Sequence, residues 1–129
     1  MILVDTSIWI GVLRRRAPID IDALVDFGDV VTCPPIIQEV LQGIGDPTAW
    51  RLARDSMLSL PIVESPVTLE AWLEASQLYR AARTAGVTAR SGVDYLIAVC
   101  ALRHDLEVLH SDRDFTNLAR VSALRQRAV

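Results

Sequence analysis

Short runs of consecutive apolar residues alternate along this chain with longer segments in which apolar residues recur every three or four positions. Such short runs are typical of buried strands in a parallel sheet, and the longer period is typical of amphipathic helices. The predicted strands are residues 2–4, 30–33, 61–63 and 108–109, with a fifth within residues 121–129. The predicted helices are residues 8–13, 20–27, 34–41, 48–58, 68–86, 93–104 and 112–118. Pro61 places the third strand at a sheet edge, because proline cannot donate a hydrogen bond inside a sheet.

This alternation predicts an α/β fold in which helices cover both faces of a central parallel sheet of four to five strands. The helix at 93–104 is apolar on nearly every side, so we expect it to be a central, packed helix. The chain has 129 residues, 51% of them hydrophobic and 22% charged. These values fit one domain, residues 1–129, arranged as three α/β/α layers around a core of ordinary size.

The basic residues exclude several classes of enzyme. All 13 are arginine, so the chain contains no lysine. P-loop nucleotide hydrolases and Schiff-base enzymes depend on a lysine amine, so they are excluded. Receiver domains and haloacid-dehalogenase-like phosphatases share this layout but normally carry a lysine near the reacting group. The two histidines and two cysteines have no close spacing, which argues against a structural zinc site.

Targeting signals are not apparent in the sequence. No segment has the roughly 20 consecutive apolar residues of a membrane span, and the N-terminus lacks the pattern of a secretory signal. Cys33 and Cys100 are too few for a disulfide scaffold, so we expect reduced, buried thiols. The sequence thus predicts a soluble, cytoplasmic protein.

Five acidic residues follow strands or begin helices in a way that suggests one site. Asp5 comes just after the first strand, and Asp112 and Asp114 come just after the fourth. Glu39 and Asp94 lie in the first turns of two predicted helices. Ligands of open parallel sheets bind outside the carboxyl ends of the strands. We therefore expect these carboxylates to converge at that edge of the sheet.

Each acid also has a purely structural interpretation. Asp5 is an equally good candidate for a helix N-cap, and Asp112 or Asp114 is expected to cap the helix that follows. A single Glu39 on an amphipathic helix is usually solvated. For Asp94 the functional interpretation is stronger than the structural one, because an unpaired acid at the start of an apolar helix is costly to bury.

A cluster of carboxylates predicts a bound cation. At about 4 Å and an effective dielectric near 20, each like-charge pair costs roughly 4 kcal/mol. The cluster must retain protons or bind a cation, and oxygen ligands without His or Cys favour Mg²⁺ or Mn²⁺. Such a metal can activate water and stabilise charge during displacement at phosphorus. The residues alone thus point to hydrolysis of a phosphodiester.

The chain resembles PIN-domain proteins of the VapC toxin family across essentially its full length. The resemblance depends on four segments in order: residues 2–7 (ILVDTS), Glu39 after Pro34-Pro35, residues 93–98 (VDYLIA) and residues 109–115 (LHSDRDF). It implies a PIN-like α/β fold and a Mg²⁺-dependent endoribonuclease that acts on single-stranded or looped RNA. It also implies inhibition by a cognate VapB-type antitoxin and, commonly, a homodimer.

By the same resemblance, Asp5, Glu39, Asp94 and Asp112 form an acidic quartet that Asp114 assists as a ligand or a supporting group. Thr6 or Ser7 supplies a nearby hydroxyl. We expect Asp5 and Asp94 to hold the principal metal and Asp112 to complete the site. Glu39 would position or deprotonate the attacking water. The division of roles between Asp112 and Asp114 stays open.

The charge of the chain is compatible with an anionic substrate. The formal net charge is −3, and without the four quartet acids it becomes −3 + 4 = +1. Arg90 and Arg113 are the best candidates for phosphate contacts, because they adjoin the acidic motifs. The other candidates are Arg14, Arg15, Arg16, Arg80 and Arg83, of which the last two are better explained as solvated helix residues.

Two alternative functions compete with the nuclease. One is a PIN-like docking module without catalysis, which the presence of all four acids disfavours. The other is a magnesium phosphatase or receiver domain, which predicts a lysine and either a second aspartate two residues after Asp5 or an acidic pair ahead of a mid-chain aspartate. This alternative lacks support because residue 7 is serine and lysine is absent. Trp9, Trp50 and Trp72 are expected in the core by default, although Trp9 or Trp50 is a candidate anchor for an antitoxin.

Overall fold

The computed structural model describes all 129 residues and contains four parallel strands and six α-helices. The strands are β1 (Ile2–Val4), β2 (Val30–Val31), β3 (Glu107–His110) and β4 (Arg125–Ala128). The helices are α1 (Thr6–Val12), α2 (Pro34–Gln42), α3 (Pro47–Leu58), α4 (Leu69–Thr84), α5 (Gly92–Arg103) and α6 (Arg113–Ala119). The predicted α/β class with a central parallel sheet is confirmed.

The order of the strands, β2-β1-β3-β4, brings the first acidic residue beside the last two. Leu3 of the central strand β1 aligns with Val31 of β2 and Val108 of β3, and all three side chains are buried. All strands run in the same direction, so the residues after β1 and after β3 meet at one edge. There the Asp5 N–H donates to the Leu109 carbonyl oxygen at 2.9 Å.

Helix α5 is the central helix of the core, as its apolar sequence predicts. Every residue from Asp94 to Ala101 is buried. Ser91 caps the helix by accepting a hydrogen bond from the Val93 N–H at 3.2 Å. This start places Asp94 in the first turn, where the helix dipole favours a negative charge.

Helix α2 begins at Pro34-Pro35, as predicted, because proline is tolerated in a first helical turn. Its buried residues Ile36 and Val40 face the core, and Glu39 lies between them in the sequence. Cys33 precedes the helix. Its thiol and that of Cys100 on α5 are free and buried, as expected.

The predicted helix at 20–27 is wrong. The segment instead forms two short 3₁₀ turns, Ile21–Ala23 and Phe27–Asp29. Asp20 and Asp26 cause the difference, because their side chains accept hydrogen bonds from the backbone two residues ahead. Such local bonds offer the backbone an alternative to a continuous helix.

The third predicted strand, 61–63, is reduced to a single bridge between Ile62 and Thr32. The predicted fifth strand is present as β4. None of the six helices has both the length and the apolar composition needed to cross a membrane.

The three tryptophans do not share one environment. Trp9 is buried in the core, so as placed here it cannot anchor a partner. Trp50 is half-buried, and the Arg54 guanidinium lies 5.4 Å from its ring centroid. Trp72, expected in the core, is 56% exposed. It belongs to an exposed apolar stripe on α4, whereas the core packs against a different face of this helix, formed by Ala71, Ala75, Leu78 and Ala82.

Candidate active site

Three of the predicted acids lie together at the carboxyl edge of the sheet. Asp94, Asp112 and Asp114 each present a carboxylate oxygen, and these three atoms lie within 4.8 Å of one another. Asp94 comes from the first turn of α5, and the other two come from the start of α6 after β3. Asp94 and Asp114 are buried, whereas Asp112 is partly exposed.

The segment that carries Asp112 is held by a chain of hydrogen bonds. Asp112 is the N-cap of α6, where its Oδ1 accepts from the Asp114 N–H at 2.9 Å. The Asp112 N–H donates to His110 Nδ1 at 3.1 Å, and His110 Nε2 lies 2.6 Å from Gln126 Oε1. Because Nδ1 accepts, Nε2–H of the neutral ring donates to Gln126.

His110 was not identified from the sequence, although a signal was present. It is the last residue of the buried strand β3, is 1% exposed, and stands two positions before Asp112. A buried histidine needs partners for both ring nitrogens. Here those partners are the backbone of Asp112 and the side chain of Gln126 in β4, so His110 links the candidate site to the edge strand.

Asp5 caps α1 and is fixed by Ser7. Its Oδ2 accepts from the Ser7 N–H at 3.0 Å and from the Ser7 hydroxyl at 2.6 Å. The same hydroxyl accepts from the Ser111 N–H at 3.0 Å. Ser7 therefore ties the end of β1 to the segment that carries Asp112. Asp5 is thus the predicted helix cap, and it lies close enough to Asp112 for that charge to raise its pKa.

We expect Ser7→Ala to lower the free energy of unfolding by about 1–2 kcal/mol, because it leaves a buried Asp5 oxygen and the Ser111 N–H without their hydroxyl partner. Thermal or urea denaturation measures this change. Ser76→Ala is the matched control, since the exposed Ser76 hydroxyl bonds only to the Leu73 carbonyl in its own helix. Equal effects of the two substitutions would contradict the linking role of Ser7.

Glu39 lies next to Asp5 on the neighbouring helix. Its Oε1 accepts from the Thr6 hydroxyl at 2.9 Å, and the side chain is half-buried. Burial raises the pKa of Glu39, and the charges of Asp5 and Asp112 raise it further, although the Thr6 bond opposes them. The structure thus places Glu39 at the rim of the acidic group.

Burial and mutual repulsion dominate the electrostatics of the group. Burial raises the pKa of Asp94 to about 8, and the charges of Asp112, Asp5 and Asp114 contribute to this rise. Burial also raises the pKa of Asp5, against the hydrogen bonds from Ser7. Without a cation, the group therefore retains a proton at neutral pH.

One positive side chain contacts the acids. Arg90 Nε lies 3.5 Å from Asp114 Oδ2, and Arg90 Nη2 lies 3.7 Å from Asp112 Oδ1. Arg113, the other arginine expected nearby, is exposed and makes no ion pair. Oxygen ligands from several carboxylates, with no sulfur and no ligand nitrogen among them, fit a hard divalent ion such as Mg²⁺ or Mn²⁺.

Comparisons with known proteins identify the family. A family model described as "PIN domain" matches residues 2–121. Ribonuclease VapC11 of Mycobacterium tuberculosis is 34% identical over 130 residues, which is 97% of this chain and 96% of that protein. The chain belongs to the PIN-domain family, in its VapC branch. VapC ribonuclease Mb1587 of Mycobacterium bovis matches this PIN domain to the same extent, so the family expected from the motifs is confirmed.

Solved structures share the fold of this PIN domain. The crystal structure of DNA-bound VapBC from Salmonella typhimurium matches with a TM-score of 0.77 and 16% identity, over 99% of this chain and 98% of that chain. VapBC-5 from Mycobacterium tuberculosis matches with a TM-score of 0.73 and 23% identity, over the same shares of the two chains. The predicted PIN-like architecture is therefore confirmed.

Proposed function

We propose that this PIN domain is a metal-dependent endoribonuclease, the toxin of a VapB–VapC pair, which hydrolyses RNA phosphodiester bonds in the cytoplasm. The observation that carries the proposal is the convergence of Asp94, Asp112 and Asp114 within 4.8 Å, with Asp5 and Glu39 beside them. The curated relatives are named ribonucleases, which supports RNA as the substrate. Asp94 and Asp112 of the predicted quartet are among the converging acids, and Asp5 and Glu39 are close enough for the charge of Asp112 to raise their pKa.

Each acid has a distinct part in the proposed site. Asp5 and Asp94 would hold a Mg²⁺ or Mn²⁺ ion, with Asp112 completing the site and Asp114 as a further ligand or support, since the oxygens of Asp94, Asp112 and Asp114 converge. The bound ion supplies Lewis acidity at the phosphodiester. Asp5 is held for this role by Ser7, and Asp114 by the Arg90 N–H at 3.1 Å.

Glu39 is the proposed general base. It lies at the rim of the group, half-buried, and its Oε1 is held by Thr6. Burial raises the pKa of Glu39 toward neutral pH, which suits a group that takes a proton from water. Attack by water with departure of the 3′-oxygen would leave 5′-phosphate and 3′-hydroxyl ends. Arg90 and Arg113 are the proposed contacts to the RNA backbone.

Metal removal tests the proposal directly. We expect the purified protein to cleave structured RNA with Mg²⁺, to lose this activity in EDTA, and to regain it with Mn²⁺. Sequencing of RNA 5′ ends locates the cleavage sites. Cleavage that persists in EDTA would contradict the metal mechanism, and absence of cleavage under all conditions would favour the docking module.

A VapB-type antitoxin is the proposed partner of the surface formed by α1, α2 and α3. Two adjoining hollows of about 340 and 310 Å³ lie there. Both are lined by Leu13 and Ile44, and Leu52 and Ile10 add exposed apolar area. Glu39 lines the second hollow, so a segment bound there would reach the candidate site.

A second copy of this chain is the proposed partner of α4. Leu69, Trp72, Leu73 and Tyr79 are exposed along this helix. Trp72 borders a cleft of about 490 Å³ between α4 and the first turns of α2 and α5. The two surfaces use different residues of α2 and share no lining residue, so we expect both partners to bind at once.

Two substitutions separate the proposed partners. We expect Trp72→Glu to convert a dimer into a monomer, because it places a charge in an apolar interface, and to leave antitoxin binding intact. Leu52→Glu should abolish antitoxin binding and leave the dimer intact. Light scattering after gel filtration measures the oligomer, and co-purification with the antitoxin measures the complex. A wild-type monomer at micromolar concentration, or an unchanged dimer in Trp72→Glu, would contradict the assignment of α4.

A further inference from the structure

Arg90 is the only cationic side chain that forms an ion pair with the acidic group. It lies in the loop between α4 and α5, one residue before the cap of α5. Its guanidinium lies within 4 Å of both Asp112 and Asp114, the two acids at the start of α6. These are also two of the three carboxylates whose oxygens converge.

The backbone and the side chain of Arg90 make contacts of different strength. The backbone N–H donates to Asp114 Oδ2 at 3.1 Å, which fixes this buried carboxylate whatever side chain residue 90 carries. The guanidinium contacts are long, 3.5 and 3.7 Å, compared with about 2.7–2.9 Å for a strong charge-assisted bond. The Arg90 side chain is also 72% exposed, and such pairs contribute little to stability.

These features describe a charge that is close to the site but easily moved. A divalent ion bound by Asp94, Asp112 and Asp114 would lie close to the guanidinium and repel it. The side chain can turn into solvent without uncovering a core, because most of its surface is already exposed. The backbone bond to Asp114 would survive this movement, so the ligand geometry would not change.

We propose that the Arg90 guanidinium is a resident counter-cation of Asp112 and Asp114, which a divalent ion must displace in order to bind. The inference rests on the proposed metal site. Arg90 then offsets part of the carboxylate repulsion in the metal-free protein and weakens the affinity for metal. Because the competing charge is solvent-exposed, its effect decreases as ionic strength rises.

Titration with Mn²⁺, followed by the electron paramagnetic resonance signal of the free ion, tests this inference on the full chain. We expect Arg90→Gln to lower the dissociation constant for Mn²⁺ by about three- to tenfold at low salt, and by less at high salt. Arg90→Lys, which keeps the charge, should bind Mn²⁺ nearly as the wild type does. Arg80→Gln is the matched control, since exposed Arg80 loses the same charge without an ion pair to the site, and its affinity should not change.

The outcomes distinguish this inference from the proposed function. Failure of the wild type to bind Mn²⁺ would contradict the metal site itself. Binding by the wild type with an unchanged or weaker affinity in Arg90→Gln would overturn the counter-cation role and leave the metal site standing. An equal gain in Arg80→Gln would show an effect of net charge alone, which also overturns the specific role of Arg90.

Discussion

Replacement of Asp94 by asparagine will reduce metal-dependent RNA cleavage by about 10²–10³-fold or more. Asp94 lies in the first turn of α5 and converges with Asp112 and Asp114. Asparagine has nearly the same shape but supplies a neutral ligand. The site then binds a divalent ion less tightly and stabilises less charge at the phosphodiester.

Initial rates of cleavage at saturating Mg²⁺ measure this effect, and sequencing of RNA 5′ ends after brief induction tests it in cells. Asp55→Asn is the matched control, because Asp55 is an exposed acid on α3, far from the acidic group in sequence and 67% exposed. Metal-dependent cleavage at the wild-type rate in Asp94→Asn would remove the basis of the proposed function.

The second large effect concerns stability and pH. We expect the metal-free protein to lose about 1–2 kcal/mol of unfolding free energy as pH rises from about 5.5 to 8.5. The pKa of Asp94 is raised from 3.8 to about 8, so in this range the folded state binds more protons than the unfolded state. Asp5 and Glu39 are shifted in the same direction. The stability they contribute is therefore present at low pH and is lost as pH rises.

Urea denaturation in EDTA across this range measures the slope, and added Mn²⁺ should restore the loss at the upper end by binding only the folded state. Asp94→Asn should remove most of the change in unfolding free energy with pH. Glu64 does not interfere: despite its burial, hydrogen bonds from Arg103 and His104 lower its pKa, so it titrates below this range. A pH dependence in Asp94→Asn as steep as that of the wild type would show that the acids are not coupled as described.

The elements with a strong local signal were predictable from the sequence. Helix α5 is predictable because residues 95–102 form an unbroken apolar run, and α2 because Pro34-Pro35 marks its start. The conformation of residues 20–27 could not be predicted this way. The hydrogen bonds accepted by the Asp20 and Asp26 side chains compete with helix formation, and they do not change the spacing of the apolar residues. The exposure of Trp72 depends on which face of α4 packs against the core, which is a tertiary property.

The acidic group was predictable because each acid follows a strand or begins a helix, and the topology brings such positions together. Its supporting contacts were not. Ser7 bonds to Ser111 across 104 positions, and Arg90 contacts Asp114 across 24, so no local pattern links them. The partner of His110 lies in β4, a strand that carries little apolar signal.

The two buried thiols have a practical consequence for following the folding of this protein. The neighbouring Cys100 thiol and burial both raise the pKa of the Cys33 thiol, so it stays protonated and unreactive while the core is closed. Cys33 begins the helix that carries Glu39, and Cys100 lies on the helix that carries Asp94. Alkylation of Cys33 therefore requires these two helices to separate, and its rate reports how often the scaffold beneath the acidic group opens.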